Sequence, residues 1–386
     1  MKTQLKNTNA GFSLLEMMIA LALGAAVVGI AAKGYSDAVN ATWVTSQRSE
    51  MQQDFRAATN IMLKDISLAG AGIPSGGIAL VSGGATPTYG CDQTAKCYLG
   101  PLNNNAIAYP LQAGTPSLYG VVPGFQQGIT INAAQGPSDI ITIVYSDNVF
   151  LLNCYGVNFT DNTGTSVNFL DPPNPLPSTC VVPAPLVAPQ KVTDTAIGLT
   201  AGDLVLFQGK NSAGNTAYAV AEVTAANNAA SPYNVTFNNA DVLGLNQPAA
   251  TSNNLVQLDT ASGGNAPLTS TVANRIYIIT YYLDISPNDG VTPRLMRQVN
   301  GHPPVPVAEN VAFLQFTYDT YNTTGTLLKE QGDAGESAGI SPSLIRKINI
   351  THLTMRSQLR GTNGYQGMDL QTSVSARNLS FQNRYQ

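Results

Sequence analysis

The stretch Gly11-Phe12-Ser13-Leu14-Leu15-Glu16-Met17-Met18-Ile19-Ala20-Leu21-Ala22-Leu23 decides how the rest of the chain is read. Before it runs a short leader, Met1 to Ala10, with Lys2 and Lys6 and no acidic residue. From Phe12 to Ala32 the chain is apolar or small except for one carboxylate, Glu16. A helix of that length, rising about 1.5 Å per residue, extends roughly 30 Å, the thickness of a bilayer's hydrocarbon core. The segment can therefore span a membrane. A secretory signal peptide is the competing reading, with a basic n-region and Ala20-Leu21-Ala22 as a small-residue cleavage site. Two features oppose it. The run exceeds the usual h-region of about 7 to 15 residues, and an acid costs about 2.5 to 3.5 kcal/mol at the centre of a spanning helix, less near its end. A carboxylate in lipid calls for a positive partner. Cleavage between Gly11 and Phe12 creates one, an α-amino group that ionises near pH ~8.

The basic leader, Gly11, Phe12 and the following Ser13-Leu14-Leu15-Glu16 resemble the class III prepilin signature of type IV pilins and type II secretion pseudopilins. The resemblance implies that a membrane-embedded aspartic peptidase cuts after Gly11 and N-methylates Phe12. It implies that Glu16 balances the new amine, its own or a neighbouring subunit's. It also implies partners: prepilin peptidase, the inner membrane, and other minor and major pilins packed helix to helix.

Composition narrows the function further. Only 11% of the 386 residues are charged and the formal net charge is −4. The 19 basic residues are scattered, so no nucleic-acid partner is expected. Four cysteines, Cys91, Cys97, Cys154 and Cys180, form two local couples among three possible connectivities. Pairing 91 with 97 and 154 with 180 closes the shortest loops, worth about 2.4 and 3.6 kcal/mol by chain entropy. A zinc site has little support, because no Cys-x-x-Cys occurs and His302 and His352 lie far off in sequence.

All 23 prolines lie at or beyond Pro74, so one continuous helix is expected from about Phe12 to Leu68. It would extend about 85 Å, with the membrane half protruding as a stalk. In its second half Val44, Met51, Phe55, Ala58, Met62 and Ile66 recur on one face, with Arg48, Glu50, Asp54, Arg56 and Lys64 largely off it. That stripe reads as packing against the following domain. Where pilins often carry a helix-breaking proline, this chain has Gly24, Gly29 and Gly34. Gly70, Gly72 and Pro74 terminate the helix.

The remainder reads as strands and long loops. Asp139 to Tyr145 and Arg275 to Tyr282 are rich in β-branched residues; 203–208, 217–224, 310–318, 347–356 and 370–376 follow, with a hairpin turn at Asn211 to Asn215. Pro172 to Pro175 and Pro183 to Pro189 are loop or edge. Several segments, in order, resemble PilW-family minor pilins: Asp65 to Gly70, Ser138 to Tyr145, Ala201 to Leu206, Tyr281-Tyr282, Leu295-Met296-Arg297, Glu309-Asn310-Val311 and Ala376-Arg377-Asn378. The expected fold is α+β and type IV pilin-like, a long N-terminal helix packed on a large antiparallel β-rich head. The expected parts are a leader (1–11), a transmembrane half-helix (12–36), an amphipathic half-helix (37–70) and a periplasmic or extracellular head (71–386).

Enzymatic chemistry finds no footing. Gly-x-Ser-x-Gly is absent, His302 precedes Pro303-Pro304, His352 falls in an expected strand, and Gly209-Lys210-Asn211 lacks the spacing of a phosphate loop. Asp319, Tyr321, Thr323 and Glu330 match a calcium loop only loosely, and they read as a polar turn, as does Asp284 to Gly290. No cofactor is expected. The resemblance implies a structural minor pilin at the pilus tip or in assembly initiation, inner-membrane before assembly and at the cell surface afterwards. A minor pseudopilin of type II secretion and a tip adhesin are the alternatives.

Overall fold

The computed structural model describes residues 12–99, 105–109, 111–112, 115–160, 163–172, 180, 191–227, 229–261, 271–322, 324–332, 341–357 and 367–380. The leader with Gly11, the stretch 183–189, most of 172–175 and Thr323 lie outside these. The chain divides into two compact units, Met1–Gln53 and Asp54–Gln386.

A single helix, α1, runs from Leu14 to Ser67, continuous through Gly24, Gly29 and Gly34. The absence of proline permits this length. Phe55, Ala58, Met62 and Ile66 are buried, as is Met51, while Arg48, Glu50, Asp54, Arg56 and Lys64 are exposed. Val44 departs from the expected stripe: it is 37% exposed. The gap of seven residues from Val44 to Met51 was the longest in the pattern, and the buried face begins only at Met51. Beyond α1 the chain turns through Gly70 and Gly72, both with positive φ, which glycine adopts without a Cβ penalty.

The second unit is mainly antiparallel sheet. Its largest sheet has seven strands: β1 (Val121–Gly124), β2 (Ile140–Ser146), β3 (Leu204–Lys210), β4 (Thr216–Glu222), β5 (Val272–Ile285), β6 (Pro293–Val299) and β7 (Val305–Glu309). The 14-residue β5 organises it. Its start pairs with β3 and its end with β6 along one edge, while β2 takes the other, with Ile276 opposite both Leu204 and Ser146. β3 and β4 form the hairpin expected at Asn211 to Asn215.

Both faces of this sheet are covered, which explains the unbroken apolar run Leu204-Val205-Leu206-Phe207. Leu204 and Leu206 join a core with Ile78, Leu80, Leu118 and Tyr282. Val205 and Phe207 join another with Phe159, Phe169, Val235 and Phe237. A second sheet holds β8 (Val311–Tyr321), β9 (Leu327–Gln331), β10 (Ile345–Arg356) and β11 (Gly367–Ser375) in the order β9-β8-β10-β11. The architecture is thus α+β and pilin-like, one long apolar N-terminal helix and a large antiparallel β-rich head.

Candidate functional site

The first turn of α1 carries the residues on which the sequence argument rests. Ser13 is the N-cap and Glu16 the third helical residue. The backbone N–H of Glu16 donates to Ser13 Oγ (3.2 Å), and the N–H of Ser13 donates to Glu16 Oε2 (3.0 Å). This is a capping box, which satisfies two of the orphan N–H groups at a helix start. Ser13-x-x-Glu16 is the sequence signature of such a box, so Glu16 has a local partner besides any charged one. The carboxylate also lies at the positive end of the helix dipole. Phe12 is 85% exposed, and Leu14, Leu15, Met17, Met18 and Ile19 are exposed behind it. The start of α1 is long and apolar enough to cross a membrane.

The last turn of α1 holds a second carboxylate, and this one is buried. Asp65 Oδ2 accepts from the Tyr281 hydroxyl (2.6 Å) and from Arg297 Nε (2.8 Å). Burial, and then the neighbouring Asp65 charge, push the Tyr281 phenol well up, so it remains a donor. Just beyond, the Gly70 N–H donates to the Val144 carbonyl, and the Ser146 N–H to the Ala71 carbonyl, so the chain leaving α1 runs along β2. Four segments singled out in the sequence, around Asp65, Val144, Tyr281 and Arg297, therefore meet at one joint. Nothing in the sequence paired Asp65 with residues more than 200 positions away.

Other singled-out residues have structural partners. Asp139 accepts from the backbone N–H groups of Gln126 and Phe316 (both 2.8 Å), tying β2 to β8, and burial raises its pKa to about 6. Asp203 lies 3.1 Å from His302 Nε2, and His352 Nδ1 lies 2.8 Å from Asp369. Cys91 is bonded to Cys97 and Cys154 to Cys180. Asp319 and Tyr321 belong to β8, paired with β9, and Asp319 Oδ1 accepts the Glu330 N–H (3.0 Å), so this stretch is a hairpin.

Residues 6–32 match the family model of the prokaryotic N-terminal methylation motif. No curated protein and no solved structure matches the chain. The motif, together with the long apolar helix that carries it, supports a protein of the type IV pilin or pseudopilin type; what the motif implies is processing by prepilin peptidase, and the apolar helix fits anchoring in the inner membrane.

Proposed function

We propose that the chain is a minor pilin of a type IV pilus, of the PilW kind, acting in assembly initiation or at the pilus tip. The observation that carries this reading is the union of two features in one helix. Its start bears the methylation motif, and its end is held by Asp65, Tyr281 and Arg297, all within segments that resemble PilW proteins. On this reading 1–11 is the leader, 12–36 the transmembrane part, 37–70 the amphipathic part and 71–386 the head. Cleavage after Gly11 frees the Phe12 amine one turn from Glu16. Among the described residues the capping box occupies Oε2 of that carboxylate, and on this reading Oε1 meets the amine, from the same subunit or from a neighbour in the filament.

Mass spectrometry of the protein purified from its own cells tests the processing. An N-terminus of methylated Phe12 is expected. A start at Met1, or beyond Ala32, overturns the proposal. Deleting the chain separates the pilus from its secretion relative: loss of pili with normal protein export is expected, and lost export with normal pili assigns the chain to type II secretion instead.

A further inference from the structure

The second sheet ends in β11, Gly367–Ser375, which pairs with β10 on one side. Among the described residues its other side has no partner. Such an edge presents a row of backbone N–H and C=O groups to any extended chain that arrives, and folded proteins blunt these rows with proline, charge, bulges, cover or shortness. The other edges of this head carry such devices. β1 contains Pro123 and β7 contains Pro306. At the end of β4, Asn246 does what a neighbouring strand would, accepting the Glu222 N–H at Oδ1 (2.9 Å) and donating from Nδ2 to the Glu222 carbonyl (2.7 Å). β9 bears Lys329 and Glu330, the latter with positive φ, and its register on β8 shifts between Tyr318 and Thr320. The edge strands of the smaller sheets have at most four residues.

β11 has nine residues and none of these devices. It holds no proline, lysine or arginine, and its one charge is engaged within the sheet, Asp369 lying 2.8 Å from His352 Nδ1 and accepting from Thr354 Oγ1 (3.0 Å). The register shift between β10 and β11 puts the extra residue in β10, between Ile350 and Leu353, so β11 itself stays regular.

The side chains of β11 point the same way. On one face Met368, Leu370, Thr372 and Val374 stand opposite Met355, Leu353, Ile350 and Ile348 of β10. The four on β10 are buried, whereas the four on β11 are only half-buried. The apolar layer of the sheet therefore reaches its edge without being closed there.

We propose that β11 pairs with β11 of a second copy of this chain, antiparallel and about a two-fold axis at Gln371, so that two second sheets become one continuous sheet. Two observations select this occupant. A regular, unblunted edge needs another of its kind, and β11 is the one that the described head offers. The strand also complements itself. With Gln371 opposite Gln371 all nine residues overlap; Met368 meets Val374 and Leu370 meets Thr372 on the apolar face, while Asp369 meets Ser373 on the polar one. An axis at Asp369 would oppose like charges, and any other centre leaves an end of the strand unpaired.

Cysteine cross-linking of the full-length protein in its own membranes reads the register. The native cysteines are bonded to one another, so an added thiol is free to report. Under mild oxidation Gln371→Cys should give a band at twice the monomer mass on a non-reducing gel. Ser373→Cys, also exposed, should not, because its two copies would stand about 13 Å apart along the strands. In detergent the wild type should sediment as a dimer and Gln371→Lys, which sets two ammonium groups against each other at an exposed position, as a monomer. A monomeric wild type, no dimer band from Gln371→Cys, or equal bands from both cysteine variants overturns the proposal. So does a dimer that Gln371→Lys leaves unchanged, since the apolar helix would then be holding it.

Discussion

Glu16, in the first turn of α1, is answered within that turn by Ser13, whereas Asp65, in the last, is buried and answered by Tyr281 and Arg297, 216 and 232 residues away. The two carboxylates mark two tasks for one helix. The Asp65 end joins the helix to its own head, so its partners are covalently part of the chain and its charge is spent internally. Among the described residues the Glu16 end is closed by its own backbone and cap, on a surface whose apolar side chains are exposed. A charge arranged like that remains available to something that arrives later, such as an amine released by proteolysis.

The most severe way to break the contrast is to prevent the amine from forming. Gly11 changed to a bulky residue should leave a precursor that is never shortened by the leader, visible as a single slower band on a gel, with no methylated Phe12 by mass spectrometry. Normal maturation of that variant would remove the cleavage site from the account. Glu16→Ala comes next. Insertion and cleavage should proceed and the head should melt as in wild type, yet pili should be largely lost by electron microscopy; unchanged piliation would leave the carboxylate with a capping role alone.

Asp65→Ala tests the opposite end. Removing one member of a buried pair leaves the other uncompensated, which costs about 3 to 5 kcal/mol, and Arg297, 24% exposed, can reach water and hold the loss near ~3. Chemical denaturation of the full-length protein should show that drop, and Asp65→Ala combined with Arg297→Met should recover part of it. A double variant as unstable as the single one would mean that the joint's strength lies in apolar packing of Met62 and Ile66.

The same contrast explains what could be read in the sequence. α1, its glycine terminator and the long strands β2, β5, β8 and β10 were legible, because each is a run of one periodicity closed by local stop signals. Less legible was the small sheet of Gly156–Phe159, Ser166–Leu170, Ala225–Asn227 and Tyr233–Thr236. It alternates cleanly, with Val157, Phe159, Val167, Phe169 and Val235 buried, but its other face carries a row of asparagines, Asn158 opposite Asn168 and Asn168 opposite Asn234. Asparagine alone reads as a turn residue. Only the register shows it as a ladder, in which the Asn234 amide donates to Asn168 Oδ1 (2.9 Å). Partnerships such as Asp65 with Arg297 and Glu222 with Asn246 were invisible for the same reason, since the tertiary fold creates them. The capping box needed no topology, and Ser13-x-x-Glu16 was sufficient to find it.

That box supplies the smallest effect and the sharpest one for separating the two roles of Glu16. Ser13→Ala removes the acceptor for the Glu16 N–H while keeping the carboxylate, at a cost of about 1 kcal/mol, which is about fivefold in the opening of the first turn. Amide exchange over residues 13–17 should speed up by that factor, and Ser13→Thr, which keeps an acceptor, should restore it. The head should melt unchanged. If Glu16 serves assembly by holding its carboxylate in a fixed direction, Ser13→Ala should yield fewer pili than wild type but more than Glu16→Ala. If charge alone matters, the serine variant should pilate normally, because the acid is still there.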